Sequence, residues 1–196
     1  MRYGEGVTQK QLESAVADTQ AELIELGLWG EKSRLHACQV FWCRLPQVTL
    51  PEALGFFLPS TSLRFPAFLG YAPGHIYIPK WVLSRYEGTH SLRDVIRHEY
   101  GHAVAHYYPA MIQRSKRFAE TFNGRYSGGH TYEFDPTDCV STYATESPCE
   151  DFAETFMLYV KHKGKKPAKF KSEATTRKWQ FVADLVARIA AGSAKW

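Results

Sequence analysis

Apolar and polar positions alternate along the chain with periods that change from segment to segment. Leu12, Val16, Leu23 and Leu26 fall near helical spacing, which predicts an amphipathic helix over residues 8–28 that ends close to Gly27. Val40, Phe41, Trp42 and Cys43 form a continuous apolar run inside His36–Leu45 and predict a buried strand. From Pro46 to Pro79 frequent prolines punctuate the chain, so short strands and loops are expected there rather than long helices, one of them around Phe65–Tyr71. Gly74-His75-Ile76-Tyr77-Ile78-Pro79 reads as a short strand stopped by its proline, a feature expected of a sheet edge. Trp81–Tyr86 is expected to form a turn or a short helix.

The helical period returns in the second half. Leu92, Val95, Ile96, Ala103 and Val104 supply apolar positions. Ser91 with Asp94 three residues on resembles a capping box, and Pro109 marks the far end, so Leu92–Tyr107 reads as one helix. Met111–Phe122 reads as a basic amphipathic helix, followed by a long loop over Asn123–Thr145, a length usually tied to function or motion. Glu150–Val160 reads as another helix and Lys161–Lys171 as a lysine-rich connector. Glu173–Ala191 reads as a last helix with Trp179, Val182, Leu185, Val186 and Ile189 inward. Together the elements predict one α+β domain over residues 1–196: a helix and a small twisted mixed sheet in 1–90, then a mostly helical part in 91–196.

A chain of 196 residues with 44% hydrophobic and 22% charged positions can bury a core without metal or disulfide staples. No apolar run is long enough for a transmembrane helix, and residues 1–11 lack the apolar centre of a signal peptide, so a cytoplasmic location, or export by a non-classical route, is expected and no membrane partner. The 4 cysteines, Cys38, Cys43, Cys139 and Cys149, form no C-x-x-C pair and are expected as reduced thiols; Cys139 and Cys149 would be the pair to bridge under oxidising conditions. A net charge of +4 does not by itself call for a nucleic acid.

The densest chemistry lies in His98-Glu99-Tyr100-Gly101-His102, an H-E-x-x-H pattern on the predicted helix. Residues i and i+4 share a helix face, so His98 and His102 can point two imidazoles at one Zn²⁺, with Glu99 beside them to take a proton from water. Composition alone predicts about 0.02 chance occurrences of this pattern per chain. Such a set is the core of a zinc peptidase, with one zinc per chain and a peptide or protein as substrate. Catalytic zinc usually takes a third protein ligand. A continuation as H-x-x-G-x-x-H is excluded, because Ala105 and Tyr108 stand at the glycine and histidine positions. His106 lies too far along the helix from His98 to share an ion and is assigned to the groove wall or to packing.

The later acids supply the alternative. Ser147 is a good helix cap, Pro148 suits the first helical position, and Glu150 and Glu154 then share one face. Glu150 can be the third ligand, and Glu154 can accept the free ring N–H of a ligand histidine. Ser147-x-x-Glu150 is also a capping-box pattern, in which Glu150 would bond the Ser147 backbone instead.

His98–His102 followed by Tyr143-Ala144-Thr145-Glu146-Ser147-Pro148-Cys149-Glu150-Asp151-Phe152-Ala153-Glu154-Thr155-Phe156 resembles the gluzincins related to the catalytic domain of anthrax lethal factor, a group that includes the bacterial Pro-Pro endopeptidases. In that family a tyrosine stands seven residues before the ligand glutamate and an F-A-E segment follows it; Tyr143 and Phe152-Ala153-Glu154 match. The resemblance covers roughly residues 91–190, and Ser147 and Pro148 stand where the family often has an asparagine. It implies a zincin-like fold with an edge strand over the H-E-x-x-H helix, Zn²⁺ held by His98, His102 and Glu150, and Glu99 as general base. It also implies that Tyr143 donates to the oxyanion. Substrate is expected to lie extended on the edge strand Gly74-His75-Ile76-Tyr77, with His106 nearby.

Three rival readings are open to the sequence. A binding module could keep the zinc without turnover, although metal binding alone does not need Glu99. A nucleic-acid-associated peptidase would use Lys161, Lys163, Lys165, Lys166, Lys169 and Lys171, but a charge run with only Phe170 interleaved reads first as a solvated connector. Finally, Asp135 or Asp138 could replace Glu150 as the third ligand.

Overall fold

Thr8 opens the first helix through a capping box: its hydroxyl accepts the Gln11 N–H, and the Gln11 side chain accepts the Thr8 N–H. The computed structural model describes residues 7–43, 55–59, 71–79, 91–131 and 135–196. Helix α1 runs over Gln9–Glu25 and ends where Gly27 takes a φ of +72°, a conformation glycine adopts without strain. Leu12, Ala15 and Leu23 of α1 are buried, on the face turned to α2 (Leu92–Tyr107).

Strands β1 (Val40–Cys43), β2 (Phe56–Leu58) and β3 (His75–Pro79) form a mixed sheet in the order β1-β3-β2. β1 pairs parallel to β3 with Val40 opposite Ile76, and β2 pairs antiparallel to β3 with Phe57 opposite Ile76. β3 is therefore a central strand, which corrects its expected place at an edge. Its proline explains how: Pro79 is the last residue of the strand, so its missing N–H removes no bond from the interior of the ladder. Among the described residues the edge strand beside α2 and the cavity described below is β2, which the sequence pattern did not single out. Phe65–Gly70 and Trp81–Tyr86 lie outside the described residues.

α2 is capped by Ser91 through the capping box with Asp94. It is nearly enclosed, with the sheet, α1 and α4 (Pro148–Lys161) against it, and its contact with α4 is the most extensive between any two of these elements. Helix α3 is shorter than expected, Lys116–Thr121. Met111 to Arg114 instead form turns, because Ser115 caps the helix by accepting the Phe118 N–H. Helix α5 (Glu173–Ala190) lays Trp179, Phe181, Val182, Leu185, Val186 and Ile189 into the interior. One apolar core runs from Val7 through Ile76, Ile96 and Phe152 to Ile189, so the sheet part and the helical part share it. The architecture is α+β. Among the described residues no helix is long and apolar enough to cross a membrane.

Candidate metal centre

α2 and α4 cross closely because of Gly101. A Cβ at that position would stand 3.0 Å from Ala153 Cα and 3.3 Å from Ala153 Cβ. Glycine in mid-helix costs about 1 kcal/mol relative to alanine, and here it lets the two backbones approach. Glu150 at the start of α4 is thereby brought against His98 and His102.

The three groups converge. His98 Nε2 and His102 Nε2 are 3.1 Å apart, and Glu150 Oε2 lies 3.1 Å from the first and 3.4 Å from the second. A tetrahedral site with bonds of 2.0–2.1 Å has ligand–ligand edges of about 3.3 Å. The opposite ring nitrogens are already occupied. His98 Nδ1 is 2.8 Å from Glu154 Oε1, and His102 Nδ1 is 2.9 Å from the Tyr126 hydroxyl. In the neutral tautomers with Nδ1–H donating on each ring, both Nε2 atoms turn bare lone pairs to the point that the buried Glu150 Oε2 also faces. This donor set, two imidazoles and a carboxylate, fits a divalent metal, and His98, His102 and Glu150 form the one such group found among the described residues.

Electrostatics of the metal-free protein follow from the same geometry. Burial disfavours a charged His98, but hydrogen bonds to Glu150 and Glu154 and the nearby Glu99 carboxylate outweigh it and push its pKa up to about 10. Burial likewise opposes ionisation of Glu150, and His102 and His98 overcome it, holding the carboxyl well below its usual range. Glu99 is raised by burial, partly offset by the two histidines and by a hydrogen bond from the Phe57 backbone. Tyr126 and Tyr143 are both raised, first by burial and then by the surrounding acids, so both remain phenols at neutral pH.

A cavity of about 310 Å³ opens on this centre. Its wall includes His98, Glu99, His102, His106, Tyr126, Tyr143 and Glu150, and on the sheet side Gly55, Phe56, Phe57 and Pro59. Tyr143 stands on a single 3-10 turn, Tyr143–Thr145, with its ring 5.8 Å from the His98 ring. Gly74, His75, Ile76 and Tyr77 do not line the cavity: Gly74 lies in the turn before the central strand and the other three belong to it, where Ile76 is fully buried and the Tyr77 hydroxyl donates to the Ala72 carbonyl. Glu150 does not close a capping box either, since its N–H bonds to the Ser147 hydroxyl while its carboxylate turns to the histidines. Asp135 caps a 3-10 turn by accepting the Thr137 N–H, and neither it nor Asp138 joins the metal-binding group.

The four cysteines are free thiols, with Cys139 directed to the Ala144 carbonyl and Cys149 to Ser147. Several of the lysines in 161–171 are engaged within the chain: Lys161 with Asp94, Lys163 with Glu25, Lys166 with Thr176 and Lys169 over the Phe170 ring. Sequence reasoning missed Gly101, Tyr126, Ser141 and β2. Gly101 carried a readable signal, a helix-breaking residue between two ligands; Tyr126 and Ser141 sit in an irregular loop, where spacing carries no directional information. Comparison with known protein families, with curated proteins and with solved structures finds no match for this chain.

Proposed function

We propose that this chain is a zinc-dependent endopeptidase with a zincin-like arrangement of sheet and helices. The observation that carries the reading is the meeting of His98 Nε2, His102 Nε2 and Glu150 Oε2 at 3.1 to 3.4 Å with the Glu99 carboxylate in the same cavity wall. Two imidazoles, one carboxylate and an open cavity are the ligand set of hydrolytic zinc rather than of a closed structural site. Zinc held there supplies a Lewis acid, which polarises a peptide carbonyl and makes water acidic enough to lose a proton near neutral pH.

The chain's own groups supply the rest. Glu99 takes the proton from the attacking water at its carboxylate and delivers it to the leaving amine nitrogen; burial, which raises its pKa, helps it hold that proton between the two transfers. Tyr143, kept a phenol by burial and by the acids around it, donates its O–H to the oxyanion. Glu154 fixes the His98 ring and Tyr126 the His102 ring. An extended substrate would pair with β2, not β3, because β2 forms the sheet side of the cavity wall while β3 has a strand on each side.

The test is metal content by elemental analysis of wild type and Glu150→Ala, purified side by side without chelator, followed by a peptide-library cleavage screen. One zinc per wild-type chain, little in the variant, and cleavage that stops on chelation are the expected outcomes. Equal zinc in both proteins would remove Glu150 from the site, and a zinc-loaded wild type that cuts no peptide would refute the hydrolase reading.

A further inference from the structure

The turn that carries Tyr143 is fastened by one hydroxyl. Ser141 Oγ donates to Glu154 Oε2 at 2.7 Å and accepts the Ala144 N–H at 3.1 Å. The other oxygen of the same carboxylate, Glu154 Oε1, faces His98 Nδ1 at 2.8 Å. A continuous run of hydrogen bonds therefore connects the His98 ring to the backbone immediately after Tyr143. Its inner members are firmly seated: Glu154 is 3% exposed, Ala144 is fully buried, and the Ala144 carbonyl accepts from the Cys139 thiol. Tyr143 itself is 45% exposed, so its position depends on the backbone that holds it.

From this geometry we propose that Ser141 is a positioning residue that couples occupation of the His98–His102–Glu150 centre to the placement of Tyr143. The proposal rests on the metal-site reading above. The Nδ1–H of His98 already faces Glu154, and an ion taking the place of the Nε2 proton would pin the ring between itself and that carboxylate. That fixes one carboxylate oxygen and leaves the other for Ser141, whose oxygen in turn holds the Ala144 N–H. Alanine at 141 removes donor and acceptor together, whereas threonine keeps both. A serine that merely closed a turn would hold Ala144 equally well with the centre empty or filled.

Hydrogen exchange on the full chain separates the two cases. Zinc is expected to slow exchange of the Ala144 amide about tenfold in wild type and in Ser141→Thr but not in Ser141→Ala, since loosening an outer partner of a metal ligand has effects of about tenfold or more. Zinc affinity, read by chelator competition, should weaken about tenfold in Ser141→Ala and recover in Ser141→Thr. In peptide hydrolysis Ser141→Ala should lower kcat and leave KM nearly unchanged, and it should add no further loss to Tyr143→Phe. Zinc-dependent protection that survives in Ser141→Ala, or kcat losses that multiply fully with those of Tyr143→Phe, would overturn the proposal. Should Ser141→Ala not fold, Ser141→Cys, which keeps the shape and weakens both bonds, makes the same test. If zinc-loaded wild type cleaves no peptide, the hydrolase reading falls, while exchange and affinity still decide the role of Ser141.

Discussion

Gly101 of α2 lies against Ala153 of α4 with no room for a side chain between them, and this contact sets how near Glu150 comes to the two histidines. Gly101→Ala would gain about 1 kcal/mol of helix propensity and lose about 1–3 kcal/mol to overpacking, because the atoms it meets include backbone that cannot swing aside. The helices must separate by a few tenths of an ångström, and Glu150 moves with α4. Zinc affinity should fall at least tenfold, with a net loss of about 0–2 kcal/mol in unfolding free energy. An unchanged affinity would mean that α4 has slack enough to accommodate the methyl group.

Glu99 and Tyr143 border the cavity without belonging to the metal-binding group. Glu99→Gln should keep its zinc and lose a factor of about 10² to 10⁴ in kcat, the usual weight of a positioned base. Tyr143→Phe should also keep zinc and lower kcat by about 10² or more with little change in KM, as expected for a donor that acts only on developing charge. Metal analysis beside steady-state kinetics checks both. Unchanged turnover in Tyr143→Phe would remove that hydroxyl from the chemistry.

What was legible in the sequence follows from how local each signal is. The caps at Ser91 and Ser147, and the i, i+4 placements of His98 with His102 and of Glu150 with Glu154, are properties of single helices, and the structure has them. The strand order is not local. His75–Pro79 reads as an edge by its proline, yet its neighbours on both sides come from segments separated from it by many residues. Met111 falls at helical spacing with Phe118 and Phe122, but Met111 and Ile112 are buried from turns instead. Tyr126 and Ser141 reach the centre through irregular backbone, so only coordinates reveal that they hold His102 and Glu154.

Behind the metal centre, Lys178 of α5 reaches Asp151 of α4 at 2.6 Å and the Asp138 carbonyl at 2.7 Å, and Asp151 is fully buried. Burial pushes the Asp151 pKa up to about 6 even with Lys178 beside it. Lys178→Met would leave that acid without its cation next to Glu150. A loss of about 3–5 kcal/mol in unfolding free energy is expected near neutral pH, shrinking in acid where Asp151 is protonated. Lys178→Met combined with Asp151→Asn should recover much of it. A single variant as stable as wild type at pH 7 would show that water or a rearranged donor replaces the lysine.

His98 is expected to make the metal-free protein sensitive to alkali. Its folded pKa, about 10, lies above the ordinary histidine value of 6.5, because the hydrogen bonds and charges of Glu150, Glu154 and Glu99 outweigh burial. The folded state therefore holds a proton that the unfolded chain releases. The stabilisation is fully present below pH 6.5 and is lost as pH rises through 10. Between pH 6.5 and 9.5 the metal-free protein should lose on the order of 3–4 kcal/mol from this group. Glu150, held low, is ionised throughout that window and adds no slope of its own. Zinc takes the place of that proton among the three acids, so the zinc-loaded protein should not share the loss, and its metal affinity should fall steeply as the solution is acidified. Denaturant unfolding of both forms at pH 6.5 and 9.5, with the His98 ring protons followed by NMR in the metal-free protein, measures the effect. A ring that titrates near 6.5, or a metal-free midpoint that stays level across the window, would mean that the three carboxylates do not hold a proton on His98.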